Sequence, residues 1–374
     1  MNQIYLDYNA STPVDPQVLD EMLPYLKDKY GNPSSTHAFG ATCRAAIEQA
    51  RKRLAALLGC EAEEIIFTSG ATESNNMVIK GTAKAAGKGK HFITSRIEHP
   101  AVLEPCRHLE RYGYRVTYLP VDRFGMVDPS GLEQAITSET VLVTIMHANN
   151  EVGTIQDIRE LARIASSRGV PFHTDAAQST GKVAVRVQEL GIDYLTVAGH
   201  KFYAPKGIGA LYIKRGRKLL PLLHGAGHER GLRPGTENAA FIAGLGSAAK
   251  IAAPLIEQAG TRQMDLGRRL LEGLKQAGLS VSLNGHPEKK LPNTWNISFA
   301  GFTAADVMGV LGKDIAVSPG AACHGDLVEP SPVLTAMGVD PALARGAIRF
   351  SLGRETTEAE IDTVIEKLKE GLKR

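Results

Sequence analysis

The chain of 374 residues has few cysteines, no long apolar run and no marked excess of charge of either sign. Its four cysteines are scattered, without the Cys-x-x-Cys spacing of zinc sites or the density of a disulfide framework. We therefore predict free thiols, no metal site and a cytoplasmic protein. The four positions are Cys43, Cys60, Cys106 and Cys323.

The 43 basic and 40 acidic side chains give a formal net charge of +3. This balance argues against direct nucleic-acid binding and against a polybasic membrane anchor. No apolar segment approaches the ~20 residues needed to cross a bilayer, so we expect no membrane partner. The first residues lack a basic stretch followed by an apolar run, and we expect no secretory signal.

Short apolar runs alternate with helix-like stretches through the first two-thirds of the chain, which predicts a mostly parallel sheet with helices on both faces. Strands are predicted at residues 64–68, 141–146, 170–174, 194–197 and 210–213, and helices at residues 73–86 and 161–167. After about residue 255 a charged helical stretch, 263–277, and a strand-like run, 291–299, indicate a second domain.

Polar residues follow these strands directly, and ligands of open α/β sheets bind at the carboxyl ends of the strands. Lys201, after a strand and a glycine, could form a Schiff base if burial favours its neutral amine, although a surface lysine is the alternative. Asp175 could pair with the ring nitrogen of pyridoxal phosphate (PLP) or cap a helix. Gln178 could bond the phenolic oxygen of that ring.

The turn at residues 69–74 leads into a predicted helix whose first N–H groups could bind a phosphate, with Thr72 adding its hydroxyl. A plain capped helix start is the alternative. His99 could stack on a planar ring or shuttle protons, or be structural.

Two further residues could act on a substrate. Cys323 lies among small and polar neighbours, where His324 could favour the reactive thiolate, whereas the other three cysteines are interpreted as inert. Arg349 alternates with apolar residues along a strand and could grip a carboxylate with its fork or form a structural ion pair.

The combination and order of these motifs resemble the cysteine desulfurases of the NifS/IscS type, within the class V aminotransferase family. The resemblance covers nearly the whole chain. Its motifs are residues 5–13, 31–35, 70–75, 149–153, 199–201, 205–209, 233–238 and 348–354.

The resemblance implies a role for each site residue. Lys201 holds PLP and moves the α-proton of the substrate, while Cys323 attacks the substrate sulfur, leaving a persulfide and alanine. Asp175 is implied to pair with the ring nitrogen, Gln178 to bond the ring oxygen, and His99 to stack on the ring. The phosphate is implied to be bound by Ala71, Thr72 and His200, and by Thr236 of the neighbouring subunit. Asn150 and Arg349 are implied to bind the substrate carboxylate. A homodimer and a sulfur- or selenium-acceptor protein are also implied.

The implied fold is the α/β type I fold of PLP-dependent transferases. It has a large domain, residues 14–255, with a mostly parallel seven-stranded sheet flanked by helices. A smaller α+β domain comprises residues 1–13 and 256–374. Three positions depart from the usual pattern: Ala198 replaces a serine, His228 ends the Gly-Ala-Gly-His stretch, and His324 follows the cysteine.

The motifs Ala-Cys-His at 322–324, Gly-His-Lys-Phe-Tyr at 199–203 and Arg-Pro-Gly-Thr-Glu-Asn at 233–238 also resemble those of selenocysteine lyases, so L-cysteine and L-selenocysteine both remain candidate substrates. A transaminase acting on a small amino acid and a non-catalytic scaffold for an acceptor protein are further alternatives.

Overall fold

The structure is a computed structural model that describes residues 3–87, 89–319, 321–324 and 327–372, with the backbone alone at 321–324 and 327–329. Its helices are α1 Pro16–Lys27, α2 Ala38–Leu58, α3 Ala71–Ala85, α4 Pro100–Glu110, α5 Pro129–Ala135, α6 Ile158–Ser167, α7 Val187–Leu190, α8 Ala239–Gln276, α9 Ala304–Leu311, α10 Pro332–Ala336, α11 Pro341–Arg345 and α12 Glu358–Gly371. Its strands are β1 Ile4–Tyr5, β2 Ile65–Thr68, β3 His91–Ser95, β4 Arg115–Leu119, β5 Thr140–Thr144, β6 Phe172–Asp175, β7 Tyr194–Ala198, β8 Gly209–Ile213, β9 Val281–Asn284, β10 Thr294–Phe299, β11 Ile315–Ala316, β12 Ser318–Pro319, β13 Ala321–His324, β14 Leu327–Pro330 and β15 Ala347–Ser351.

A seven-stranded sheet organises the first two-thirds of the described chain, in the order β2-β8-β7-β6-β5-β3-β4. All of its pairs are parallel except those made by β8, which runs antiparallel to both β2 and β7. Strands β2, β3, β6, β7 and β8 are buried along their whole length, as expected for a sheet covered on both faces. The predicted α/β class is therefore confirmed.

Side chains from both faces of this sheet build the large core, with Leu54, Phe172 and Leu195 on one face. On the other face Phe92 and Leu211 pack under α3 and α4. The helices start where local capping requires it. In α4 the Nδ1 atom of His99 accepts the N–H of Ala101 at 3.1 Å, and Pro100 occupies the first position. Capping fixes the orientation of His99 at the carboxyl edge of β3.

A second, antiparallel sheet has the order β12-β15-β10-β9. It packs with the second half of α8 and with α9 and α12 around the small core, which includes Leu270, Trp295, Phe350 and Ile361. Strand β1 joins this part of the molecule by pairing in parallel with β11, and Leu6 lies in the small core. The hairpin β13–β14 places Cys323 opposite Val328.

Helix α8 spans 38 residues and contributes to both cores, with Leu245 in the large core and Leu270 in the small core. The sequence-based division at residues 255/256 falls inside this helix and stays a prediction. The sequence pattern predicted only the charged second half, 263–277, because the first half is too uniformly apolar to show a helical period.

By length and composition alone the first half of α8 could cross a membrane, so the expectation that no apolar segment approaches that length was wrong. Of this apolar window, 56% is buried inside the protein. Packing against α1 and α2 explains its composition.

Candidate active site

A cleft of about 620 Å³ opens at the carboxyl ends of the sheet strands, within the size range of small-molecule sites. It gathers nine of the eleven residues for which the sequence predicted roles: Ala71, Thr72, His99, Asn150, Asp175, Gln178, His200, Lys201 and Arg349. Strands β3, β5, β6 and β7 end side by side, which explains why residues far apart in sequence meet here.

Lys201 ends a short 3-10 turn directly after β7. Its Nζ atom donates to the carbonyl oxygens of Asn9 at 2.7 Å and Ala10 at 2.9 Å. Burial and the positive charge of Arg349 lower the pKa of Lys201 to about 8. A substantial fraction of the amine is therefore neutral near pH 8, as a nucleophilic lysine requires.

Asp175 is buried at the end of β6. Its two carboxylate oxygens accept from Asn75 Nδ2 at 2.7 Å and from the N–H of Ala177 at 2.9 Å. The second bond closes a local turn at residues 177–179 rather than capping a helix, so the helix-cap alternative is wrong. Asp175 also faces the cleft, so the local turn and a cofactor contact are compatible with each other.

Gln178 lies one turn beyond Asp175 and is connected to the N-terminal segment. Its Nε2 donates to the carbonyl oxygen of Asn9 at 2.9 Å. Asn9 is 1% exposed and also accepts from Lys201, so one residue contacts two predicted cofactor ligands. Asn9 lies within the motif at residues 5–13, but the sequence alone indicated no role for its side chain.

The start of α3 forms another wall of the cleft. Its N-cap, Gly70, has φ of 152° and no side chain to cap the helix. The first turn, with Ala71 and Thr72, therefore offers N–H groups and the positive end of a helix dipole to an anion.

His200 lines the same cleft. Burial and the charges of Lys201 and Lys206 lower the pKa of His200 to about 4, so its ring is neutral near pH 7. Ala198 lines the cleft without a hydroxyl.

His99 borders the cleft next to a buried carboxyl that the sequence analysis missed. Burial lowers the pKa of His99, and Lys201 lowers it further against an opposing effect of Asp175. Burial raises the pKa of the neighbouring Glu98 to about 8. Glu98 accepts from Ser95 Oγ at 2.6 Å and from the N–H of Met146 at 2.9 Å, which ties the start of α4 to the end of β5.

Arg349 reaches the cleft from β15 and also forms the structural ion pair that the sequence offered as the alternative. Its Nη2 lies 2.7 Å from Asp7 Oδ1, and its Nη1 donates to the carbonyl oxygen of Asn150 at 3.0 Å. Its buried Nε has no acceptor among the described residues. The guanidinium is thus held in place by Asp7 and Asn150 at the edge of the cleft.

Two predicted residues are not placed in the cleft. Thr236 is exposed and is not among the residues that line it. The side chain of Cys323 lies outside the described part of the chain. Burial raises the pKa values of Cys60 and Cys106 to about 12 each, which agrees with their interpretation as inert thiols.

The donor set fits an anionic, ring-shaped cofactor that carries a carbonyl group. The amine of Lys201 can bind the carbonyl, the carboxylate of Asp175 can hold a protonated ring nitrogen, and the first turn of α3 can hold a phosphate. The carboxylate of Asp175 is already held in place by Asn75 and Ala177, so the site is preorganised for a cation at that position.

Comparisons with known proteins agree with this geometry. The family model described as aminotransferase class-V matches residues 4–364. Cysteine desulfurase IscS of Dictyoglomus turgidum is 48% identical over 368 residues, covering 98% of this chain and 93% of that protein. A solved NifS-like protein has a TM-score of 0.93 at 40% identity over 98% of both chains. SspA, solved in complex with cysteine, has a TM-score of 0.83 at 40% identity, covering 95% of this chain and 100% of that chain. The resemblance inferred from the motifs is confirmed, and the chain belongs to the class-V aminotransferase family and, within it, to the cysteine desulfurases.

Proposed function

We propose that this protein is a PLP-dependent cysteine desulfurase, which converts L-cysteine to L-alanine and transfers the sulfur to Cys323 as a persulfide. The observation that carries the proposal is the placement of Lys201, whose amine has a pKa lowered to about 8 and lies in one cleft with Asp175 and Arg349. This arrangement supports roles for Lys201 as the nucleophilic amine, Asp175 as the partner of the ring nitrogen and Arg349 as the receptor of the substrate carboxylate.

When bound, PLP supplies an electron sink for the negative charge that develops on the α-carbon of the substrate. The protein supplies the remaining functions. Lys201 holds the cofactor and carries the α-proton, since its lowered pKa lets it act as a base near neutral pH. Asp175 keeps the ring nitrogen protonated, and the neutral ring of His99 offers a flat face at the cleft.

Arg349 and Asn150 orient the substrate through its carboxylate. The Cys323 thiolate then attacks the substrate sulfur. An S–S bond forms, the carbon–sulfur bond breaks, and its electron pair takes up a proton to give alanine. The persulfide sulfur passes to an acceptor protein.

The exposed position of Thr236 supports a homodimer in which this residue completes the neighbouring cleft. Light scattering on the purified protein tests this state. A monomer that retains full activity would contradict the role of Thr236.

The decisive experiment is alanine formation by the PLP-loaded protein, with L-cysteine and L-selenocysteine compared under reducing conditions. Turnover of cysteine at a comparable or higher rate supports the desulfurase. A preference for selenocysteine of about a hundredfold, ~3 kcal/mol in transition-state binding, would instead make the protein a selenocysteine lyase. Acceleration by added keto acids would indicate a transaminase. No turnover with either substrate would leave only the scaffold.

Replacing Cys323 by alanine is expected to abolish sulfur transfer from cysteine while PLP stays bound and visible in the absorption spectrum. The same replacement at Cys60, a half-buried thiol with a raised pKa, is the matched control and should leave turnover within about twofold of wild type. Undiminished turnover by Cys323→Ala would rule out its role as the sulfur acceptor.

A further inference from the structure

Lys182 lies next to the predicted cofactor ligands in the turn that follows β6, four residues after Gln178. Its Nζ donates to Gln178 Oε1 at 2.9 Å and to Asn9 Oδ1 at 3.0 Å. Gly181 allows this turn to approach the Lys201 loop closely, since a Cβ there would lie 2.8 Å from Phe202 Cβ. The amine is therefore held behind the cleft rather than in solvent.

A donor in this position decides how two side-chain amides are oriented. Lys182 Nζ donates to both Gln178 Oε1 and Asn9 Oδ1, so in this arrangement both oxygens face the amine. The Nε2 of Gln178 is then directed to the other side, where one N–H meets the carbonyl oxygen of Asn9 at 2.9 Å. The amide has a second N–H, and Gln178 lines the cleft.

Within the described part of the chain, Lys182 is not surrounded by the negative charges that an ion pair would require. The charged groups that act on Lys182 are both positive, and Asp7 and Asp15 pair instead with Arg349 and Arg354. Lys201 and Arg349 oppose a second positive charge, and together with burial, the largest cause, they lower the pKa of Lys182 well below its usual range. Arg354 lines the small chamber that Lys182 shares with Lys201. Either protonation state of the amine still donates hydrogen bonds.

We propose that Lys182 is a positioning residue that makes Gln178 present a donor, not an acceptor, to the ring oxygen of the cofactor. Without Lys182 the amide can rotate and place an oxygen against the negatively charged ring oxygen. The inference rests on the proposed function, because it assigns Lys182 to the same PLP site, and it concerns the protonation of the bound cofactor rather than the overall fold.

The test is a pH titration of the visible absorbance of bound PLP, and the measured quantity is the midpoint pH of the absorbance change. A donor at the ring oxygen stabilises the negative charge that the oxygen bears after deprotonation. Lys182→Met has a similar length but no donor, so this midpoint should rise by about 1 pH unit. Lys275→Met, the same replacement at an exposed position of α8, should leave it unchanged.

A double replacement separates positioning from a general effect of charge. Gln178→Leu should raise the midpoint by a similar amount, and adding Lys182→Met to it should produce no further shift. Additive shifts would overturn the proposal. So would a Lys182→Met midpoint equal to that of wild type.

Melting temperatures identify variants that fail to fold. If Lys182→Met does not retain PLP, Lys182→Arg, which keeps several donors and no acceptor, is compared with Lys182→Gln, whose amide also carries an acceptor oxygen. A larger rise with glutamine supports the proposal, and equal midpoints contradict it. A wild-type protein without a visible PLP band would instead overturn the proposed function, and the role of Lys182 with it.

Discussion

Three lysines, Lys182, Lys201 and Lys290, are buried at positions where burial disfavours their positive charge. Lys201 lines the cleft and Lys182 lies behind it, whereas Lys290 lies in the segment before β10 and is 3% exposed. The Nζ of Lys290 is 3.5 Å from the centroid of the Trp295 ring and has no hydrogen-bond acceptor among the described residues. Burial lowers the pKa of Lys290 to about 7.

The lowered pKa of Lys290 predicts a stability that depends on pH. Between pH 7 and 10.5 the unfolded chain keeps a proton that the folded chain has lost, so wild-type stability rises with pH over this window. Lys290→Met removes the burial cost and should raise the free energy of unfolding by about 2 kcal/mol at pH 6, with less gain at pH 10. Urea unfolding at pH 6, 8 and 10 measures this difference.

The neighbouring Lys289 is exposed, so Lys289→Met is the matched control and should change little at any pH. A gain in Lys290→Met that does not vary with pH would show that packing, rather than charge, dominates. The ring of Trp295 offsets part of the cost of the charge, which is why the expected gain is smaller than the pKa shift alone suggests.

The sequence predicted residues that line the cleft, but it did not predict the residues that position them. Lys201 and Asp175 directly follow apolar strand runs, and Arg349 lies among apolar residues within one. A charged side chain is unusual at such positions, which made these residues recognisable. Asn9, Glu98 and Lys182 act through contacts with residues distant in sequence, such as the pair between Glu98 and the N–H of Met146. No local spacing encodes such a contact, so these residues could not be assigned roles from one sequence.

Among the elements, helix α8 depends on glycines that let other groups approach its backbone. A Cβ at Gly267 would lie 1.8 Å from Trp295 Cε2, and one at Gly246 would lie 2.4 Å from Ala50 Cα. The first half of the helix packs on α2 and the second half on the small core. The first half of α8 is apolar on most sides because it is buried. It therefore lacks the alternation of apolar and polar residues with a period of 3.6 from which helices are predicted.

Replacing Gly267 by alanine should destabilise the protein by about 2 kcal/mol or more, because the ring of Trp295 must move to admit the methyl group. Gly309→Ala in α9 is the control, since its Cβ would meet nothing within 4 Å and alanine is the better helix former. Thermal unfolding compares the two. Equal melting temperatures would show that the Trp295 side chain moves aside at no cost.

Helix α8 contributes side chains to both the large core and the small core. The N-terminal segment also joins them, since Leu6 lies in the small core while Asn9 contacts Lys201. The predicted large domain, 14–255, and the predicted small domain, 1–13 with 256–374, therefore share a helix and a cleft.

This sharing predicts one cooperative unfolding transition. Trp295, the single tryptophan, reports on the small core by fluorescence, and bound PLP reports on the cleft by absorbance. The two urea midpoints are expected to coincide. Loss of the tryptophan signal at a clearly lower concentration would show that the small core unfolds separately.

The bonds made by Asn9 also set an order of events during synthesis. Its N–H donates to Ser351 Oγ at 3.0 Å, across 342 residues of chain, and its side chain donates to Thr294 Oγ1 at 2.8 Å. A nascent chain on the ribosome cannot complete the wall of the cleft until β15 has emerged. The cofactor's receptor is consequently assembled late in translation, long after the central sheet that supports it has left the exit tunnel.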